Sequence, residues 1–129
     1  MEIRKATVRG RLYDLPYGFP ALVVPESDVR ATGTTDYLSD ALMQYHASPQ
    51  LGASSAKWDA VHGELITFKD PEERLAALDV LEGYAPGEES LYERALIPVE
   101  VAAEVVLAWA YRVDRAAGVY LPDGYWPAS

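Results

Sequence analysis

The chain has 129 residues, of which 50% are hydrophobic and 24% charged, with 20 acids against 11 bases and a formal net charge of -9. That length favours one domain around a single core. So acidic a balance without a lysine–arginine cluster argues against nucleic acid or anionic membranes as partners, because both are bound through concentrated positive charge. Cysteine is absent, which excludes disulfides, thiolate nucleophiles and cysteine-ligated zinc. The opening MEIRKATVRG lacks the apolar stretch of a signal peptide, and no apolar run approaches membrane-spanning length. A soluble cytoplasmic protein is expected.

The first element is a strand over Ala6 to Leu15, with Val8, Leu12 and Tyr13 as packing residues. Pro16, Gly18 and Pro20 break it, and Ala21 to Val24 resume a short apolar run before Pro25. Residues 26 to 57 differ in character, being rich in Ser, Thr, Asp and Ala, and read as an insertion. Within them a helix is predicted over about 36–46, capped by Thr35 or Asp36, with Tyr37, Leu38, Ala41, Leu42 and Tyr45 on one face. Trp58 to Phe68 reads as a strand in which Gly63 marks a bulge or a close backbone approach. Asp70-Pro71-Glu72-Glu73 is a helix start, with Asp70 as N-cap and Pro71 in the first turn. The helix runs to Glu82, where Gly83 stops it. Two further strands follow, Arg94 to Val101 and Glu104 to Val113, and the tail from Gly118 holds too many breakers for a long element. The order is α+β: a small mixed β-barrel or curled sheet with a helix at about 70–82 and an extra helix at about 36–46.

One charge sits oddly in this pattern. At ~100° per residue from Leu75, Leu78 falls at roughly 300°, Leu81 at roughly 240° and Glu82 at roughly 340°, so a glutamate shares the leucine stripe. It also ends the helix, where the backbone dipole is already negative. Burial and that helix end both disfavour the ionised form, so an upward pKa shift is expected, as suits a general acid/base. The pattern leaves a surface role and a chemical role both open for Glu82. Asp79, at roughly 40°, reads as a boundary-face acid or a holder of a backbone amide. Tyr92 follows the helix by one loop and could return to the same cavity.

Other chemistry finds little footing. His46 and His62 lack ligand spacing, so no metal site is expected. Gly52-Ala53-Ser54-Ser55 lacks the strand–turn–helix setting of a nucleophile elbow.

A series of blocks then stands out: Gly10-Arg-Leu-Tyr-Asp-Leu15 with Phe19-Pro-Ala-Leu22, Val61-His-Gly-Glu-Leu65, Leu78-Asp-Val-Leu-Glu-Gly83, Leu91-Tyr-Glu-Arg94 with Ile97 to Val101, Ala108-Trp-Ala-Tyr111, and Pro122-Asp-Gly-Tyr-Trp126. In order and spacing they resemble the gamma-glutamylcyclotransferase-like family. The resemblance implies a small α+β barrel holding a gamma-glutamyl small molecule, with Glu82 as the catalytic proton carrier and Tyr92 as a substrate contact. It implies release of 5-oxoproline from a gamma-glutamyl amine, amino acid or peptide, with no cofactor and no metal. The family's opening strand and turn, roughly Tyr-Gly-Ser/Thr-Leu, has no counterpart ahead of Ala6, and Tyr17-Gly18-Phe19 is no substitute. A non-catalytic binding or oligomerising module on the same scaffold is the alternative.

Overall fold

A computed structural model describes residues 1–54 and 56–127. Strand β1 spans Glu2–Asp14 and β2 Pro20–Val23; a 3-10 turn at Glu26–Asp28 leads to β3, Ala31–Thr32. Helix α1 covers Tyr37–Met43, β4 Asp59–Thr67 and α2 Pro71–Glu82. Strands β5 (Glu93–Val101), β6 (Glu104–Arg112) and β7 (Val119–Leu121) complete the chain. The result is a curled antiparallel sheet of seven strands with two helices packed on each other, the α+β class expected from the sequence.

β1 organises the sheet because it is long enough to serve two sets of neighbours. Its first part pairs with β4, from Glu2↔Thr67 to Gly10↔Asp59. Its last residues pair with β2 and β7 on opposite edges. β5 and β6 form a hairpin from Val101↔Glu104 to Glu93↔Arg112. The curl closes where the Val113 amide donates to the Leu22 carbonyl at 2.8 Å, bringing the end of β6 against β2. Val24, Ala95, Ile97, Val99 and Val101 are buried inside the curl, with Val8, Leu22, Val106 and Ala108 packed around them. Full burial of each large aliphatic side chain contributes about 1.5–3 kcal/mol. Strand alternation sends the intervening residues of β5 and β6 to the other face, toward the helices.

Three expectations from the sequence change here. Gly63 makes no bulge: it pairs with Ala6 in an unbroken ladder, and a side chain there would meet nothing nearby. α1 is shorter than expected and buries a different face. Leu38, Leu42 and Tyr45 are exposed, while Asp40 and Ala41 are buried, because Asp40 is drawn inward by an arginine described below. α2 keeps the expected bounds, with Pro71 in its first turn and Gly83 at φ 69° closing it in the left-handed conformation that glycine tolerates. Leu81, however, is exposed and Asp79 buried. The buried arc of α2 is therefore centred between Leu75, Leu78, Asp79 and Glu82, and Leu81 lies roughly 60° outside its edge.

The segment between β2 and β4 is fastened to the sheet. Arg9 grips Asp28 with two hydrogen bonds at 2.7 and 2.8 Å, and the same carboxylate accepts the Gly52 amide at 2.7 Å. Arg9 also donates to the Gly52 carbonyl. A bidentate pair of this kind fixes orientation as well as distance, so the chain after α1 is held along the mouth of the cavity described next.

Candidate active site

β4 pairs along β1 and β6 along β5, and between β4 and β6 lies a cavity of about 830 Å³. Apolar side chains dominate its walls, with Val8 and Leu22 on one side, Val106 and Ala108 on another, and Leu75 and Leu78 of α2 above. Gln44, Tyr45, Ala47 and Pro49 close it from the segment after α1. Glu82 reaches this cavity from the last residue of α2 and is half-buried. Glu64, an exposed residue of β4, is the other acid along it.

Glu82 faces the cavity because α2 cannot rotate. Asp79, one turn earlier and 1% exposed, is locked to Arg94, itself 0% exposed. The Arg94 Nε donates to Asp79 Oδ1 at 2.8 Å and Nη2 to Oδ2 at 3.2 Å. Tyr111 donates to Oδ1 at 2.5 Å and Tyr37 to Oδ2 at 3.2 Å. Four donors on one carboxylate leave it little freedom. Arg94 and Tyr111 stand directly opposite each other in the β5–β6 hairpin, so the sheet itself brings two of the partners together.

The same arginine binds α1. Its Nη2 donates to Asp40 Oδ2 at 3.1 Å and to the Thr34 carbonyl at 3.0 Å. Asp40 also accepts the Thr34 amide at 2.7 Å and the Thr34 hydroxyl at 2.9 Å. The guanidinium lies 4.7 Å from the Trp109 ring and 5.5 Å from the Tyr37 ring, within cation–π range. Gly33 is required beside it: a Cβ there would meet Arg94 Cζ at 2.6 Å, and a fully buried guanidinium has no room to yield. The cluster holds two carboxylates and one guanidinium, a formal excess of one negative charge, which the tyrosine hydroxyls and Thr34 offset by hydrogen bonding.

Charges here shift one another as that geometry dictates. Burial works against the Arg94 charge, but the hydrogen bonds and charges of Asp79 and Asp40 outweigh it and raise its pKa. Burial, then the hydrogen bond to Asp79, pushes the Tyr111 hydroxyl well above the usual phenol range, with Glu82 adding to the effect. Tyr37 is raised by burial and by Asp79. An unfolded tyrosine ionises near 10. Above that pH the unfolded chain loses a proton that folded Tyr111 retains, so stability falls as pH rises, by about 1.4 kcal/mol per pH unit for this group. Urea melts at pH 9, 10 and 11 should show the decline, and Tyr111→Phe should flatten it. Equal slopes in the two proteins would contradict the assignment.

Of the residues marked in the sequence, Glu82 lines the cavity, whereas Tyr92 is not among its lining residues. Tyr92 donates to the Pro20 carbonyl at 2.7 Å and packs on the small cluster of Leu15, Ala21 and Val113. Its pKa is raised by burial and then by the charge of Glu82, which places the two in electrostatic reach. His62 stacks flat on Tyr125 with ring centres 4.1 Å apart. Ser55, from the Gly-Ala-Ser-Ser stretch, lies outside the described residues. Arg94, Asp40, Tyr37 and Tyr111 escaped the sequence reading. The available signal was an arginine opening an otherwise apolar strand, a position that demands a buried counter-charge.

Glu82, at the end of a helix braced by a buried ion cluster, thus lines a largely apolar cavity of the size that takes a small molecule. The family model described as gamma-glutamyl cyclotransferase, AIG2-like, matches residues 33–128, and the chain belongs to that family. No curated protein and no solved structure matches it.

Proposed function

We propose that the protein cyclises a gamma-glutamyl compound to 5-oxoproline. The observation that carries this reading is Glu82 at the end of α2, facing the cavity while Asp79 and Arg94 fix the helix. In the reaction the substrate's α-amine nitrogen attacks its own γ-carbonyl carbon. The new C–N bond closes the five-membered ring as the γ-amide C–N bond breaks. The proton shed by the attacking amine goes to Glu82 and from there to the departing nitrogen, so 5-oxoproline and free amine together contain every atom of the substrate. No water is consumed and no cofactor takes part.

Because nucleophile and electrophile belong to one molecule, holding the chain curled supplies much of the acceleration. The apolar walls favour that curl and keep water from competing. One carboxylate can then serve as base and acid in turn. Tyr92 is proposed as a contact on the glutamyl side. Its hydroxyl proton is committed to Pro20, leaving the oxygen able to accept from the substrate's amine. Residues 26–57 are proposed as an elaboration within a single domain, supplying α1 and one wall of the cavity. The test is release of 5-oxoproline, followed by chromatography, from gamma-glutamyl amines, amino acids and peptides. No release from any of them would favour the non-catalytic binding module instead.

A further inference from the structure

The stretch that covers the mouth of the cavity has no ladder of its own. Residues 44–51 set Gln44, Tyr45, Ala47 and Pro49 against the cavity. Among the described residues, none from 48 to 54 takes part in a backbone–backbone hydrogen bond. Side chains hold the stretch instead, and they hold it unequally. At one end α1 is pinned through Asp40, whose carboxylate accepts from Arg94 at 3.1 Å and whose carbonyl accepts the Trp109 indole N–H at 2.9 Å. At the other end the Gly52 amide donates to Asp28 at 2.7 Å and the Gly52 carbonyl accepts from Arg9. Gly52 also lies so close to Ser27 that a side chain at position 52 would overlap the Ser27 carbonyl. Asp28 is 3% exposed, so this second pin is a charge-assisted contact sheltered from water. Between the pins, among the described residues, Arg30 alone reaches the stretch from elsewhere by hydrogen bond. It donates to the Ser48 carbonyl at 3.4 Å and to the Gln50 carbonyl.

From this we infer that residues 44–51 form a flap through which ligands enter and leave the cavity, with Arg30 as its latch. The inference concerns access and does not depend on which reaction the cavity performs. Arg30 is tied to the sheet, its amide donating to the Leu96 carbonyl at 2.8 Å and its side chain also donating to the Ser27 carbonyl. The arginine is therefore the fixed post and the flap the moving part. Its bonds to the flap go to neutral carbonyls at the surface, where water replaces a donor at little net cost. The pins are not exchanged so readily, because freeing Asp28 or Asp40 leaves a buried carboxylate without its counter-charge. Opening therefore begins at Ser48 and Gln50 and stops at Asp40 and Gly52. It carries Tyr45 and Pro49 away from the mouth while α2, and Glu82 with it, stays in place. Loop movements of this kind fall in the microsecond-to-millisecond range. Arg30 is not among the residues that line the cavity, so it is a positioning residue, acting through the flap that it holds.

Amide nitrogen relaxation dispersion on the full chain should show exchange confined to residues 44–51, with Gly52 and the body of α1 quiet. Arg30→Ala should raise the open population about tenfold, the scale of two surface hydrogen bonds lost, while the melting temperature stays close to that of the wild type. Arg30→Lys should fall between the two, because one ammonium cannot span the carbonyls that a guanidinium spans. It also carries the test if the alanine variant does not fold. Entry itself is read with the neutral dye N-phenyl-1-naphthylamine by stopped-flow fluorescence. Its uptake rate should level off at high dye concentration, because flap opening then limits entry, and the plateau should rise about tenfold in Arg30→Ala. Flat dispersion profiles, or exchange spread evenly through α1 and Gly52, would overturn the inference. An open population unchanged in both Arg30 variants would remove Arg30 as the latch. Uptake that climbs linearly with dye at equal slope in the wild type and Arg30→Ala, or no uptake by either, would mean that entry does not pass the flap.

Discussion

Arg94→Met should lower the melting temperature by roughly 10–20 °C, corresponding to about 3–5 kcal/mol, the cost of removing one partner from a buried charge cluster. Asp79 and Asp40, each 1% exposed, would be left facing each other across a hydrophobic gap with only tyrosine and threonine donors. Neither could reach water without displacing α1 or α2. The loss would come from the stranded carboxylates more than from the missing bond. The combination of Arg94→Met with Asp40→Asn and Asp79→Asn should therefore be more stable than Arg94→Met alone, a non-additivity expected of residues in direct contact. Thermal melts followed by circular dichroism decide the matter. A single variant melting within about 2 °C of the wild type, on a scale where 1 kcal/mol moves a domain of this size by several degrees, would show that the cluster does not brace the helices.

Glu82→Gln should behave in the opposite way, leaving the fold and removing the chemistry. The amide matches the carboxylate in shape, and the side chain is half-buried at the cavity wall, so the melting temperature should stay close to that of the wild type. It cannot take a proton from the substrate's ammonium or return one to the leaving nitrogen. Release of 5-oxoproline should fall by about 10²–10⁴-fold, the usual worth of a positioned acid/base, mainly in kcat, since binding is little altered. Wild-type turnover in a folded Glu82→Gln protein would remove Glu82 from the mechanism. The contrast between the two variants distinguishes the residue that acts from the residues that aim it.

Much of this arrangement can be traced to local sequence. Pro71 and Gly83 delimit α2 because one suits a helix's first turn and the other its left-handed end. The 3.6-residue period then placed Glu82 toward the interior. What local pattern could not supply was the centre of the buried arc. Leu81 looked like core and Asp79 like boundary, yet Leu81 is exposed and Asp79 buried, because an arginine fifteen positions later in the chain selects the acid over the leucine. The same long-range pairing turned α1, whose Leu38 and Leu42 promised an apolar face but whose Asp40 is the residue drawn in. Buried ion clusters join elements distant in sequence, and no periodicity within one helix encodes the partner. The cavity's location was equally hidden, since it follows from which strands pair: β1 takes β4, β5 takes β6, and the space lies between β4 and β6.

The most direct test of the central claim is the identity of the nucleophile. Incubation of the protein with a gamma-glutamyl amine, and separately with the same compound acetylated on its α-nitrogen, should be followed by quantifying 5-oxoproline, glutamate and free amine. Attack by the α-amine requires 5-oxoproline and amine in equal amounts from the first compound and nothing from the second. Free glutamate in place of 5-oxoproline, or amine released from the acetylated compound, would mean that water is the nucleophile and that the cavity does not perform a cyclisation.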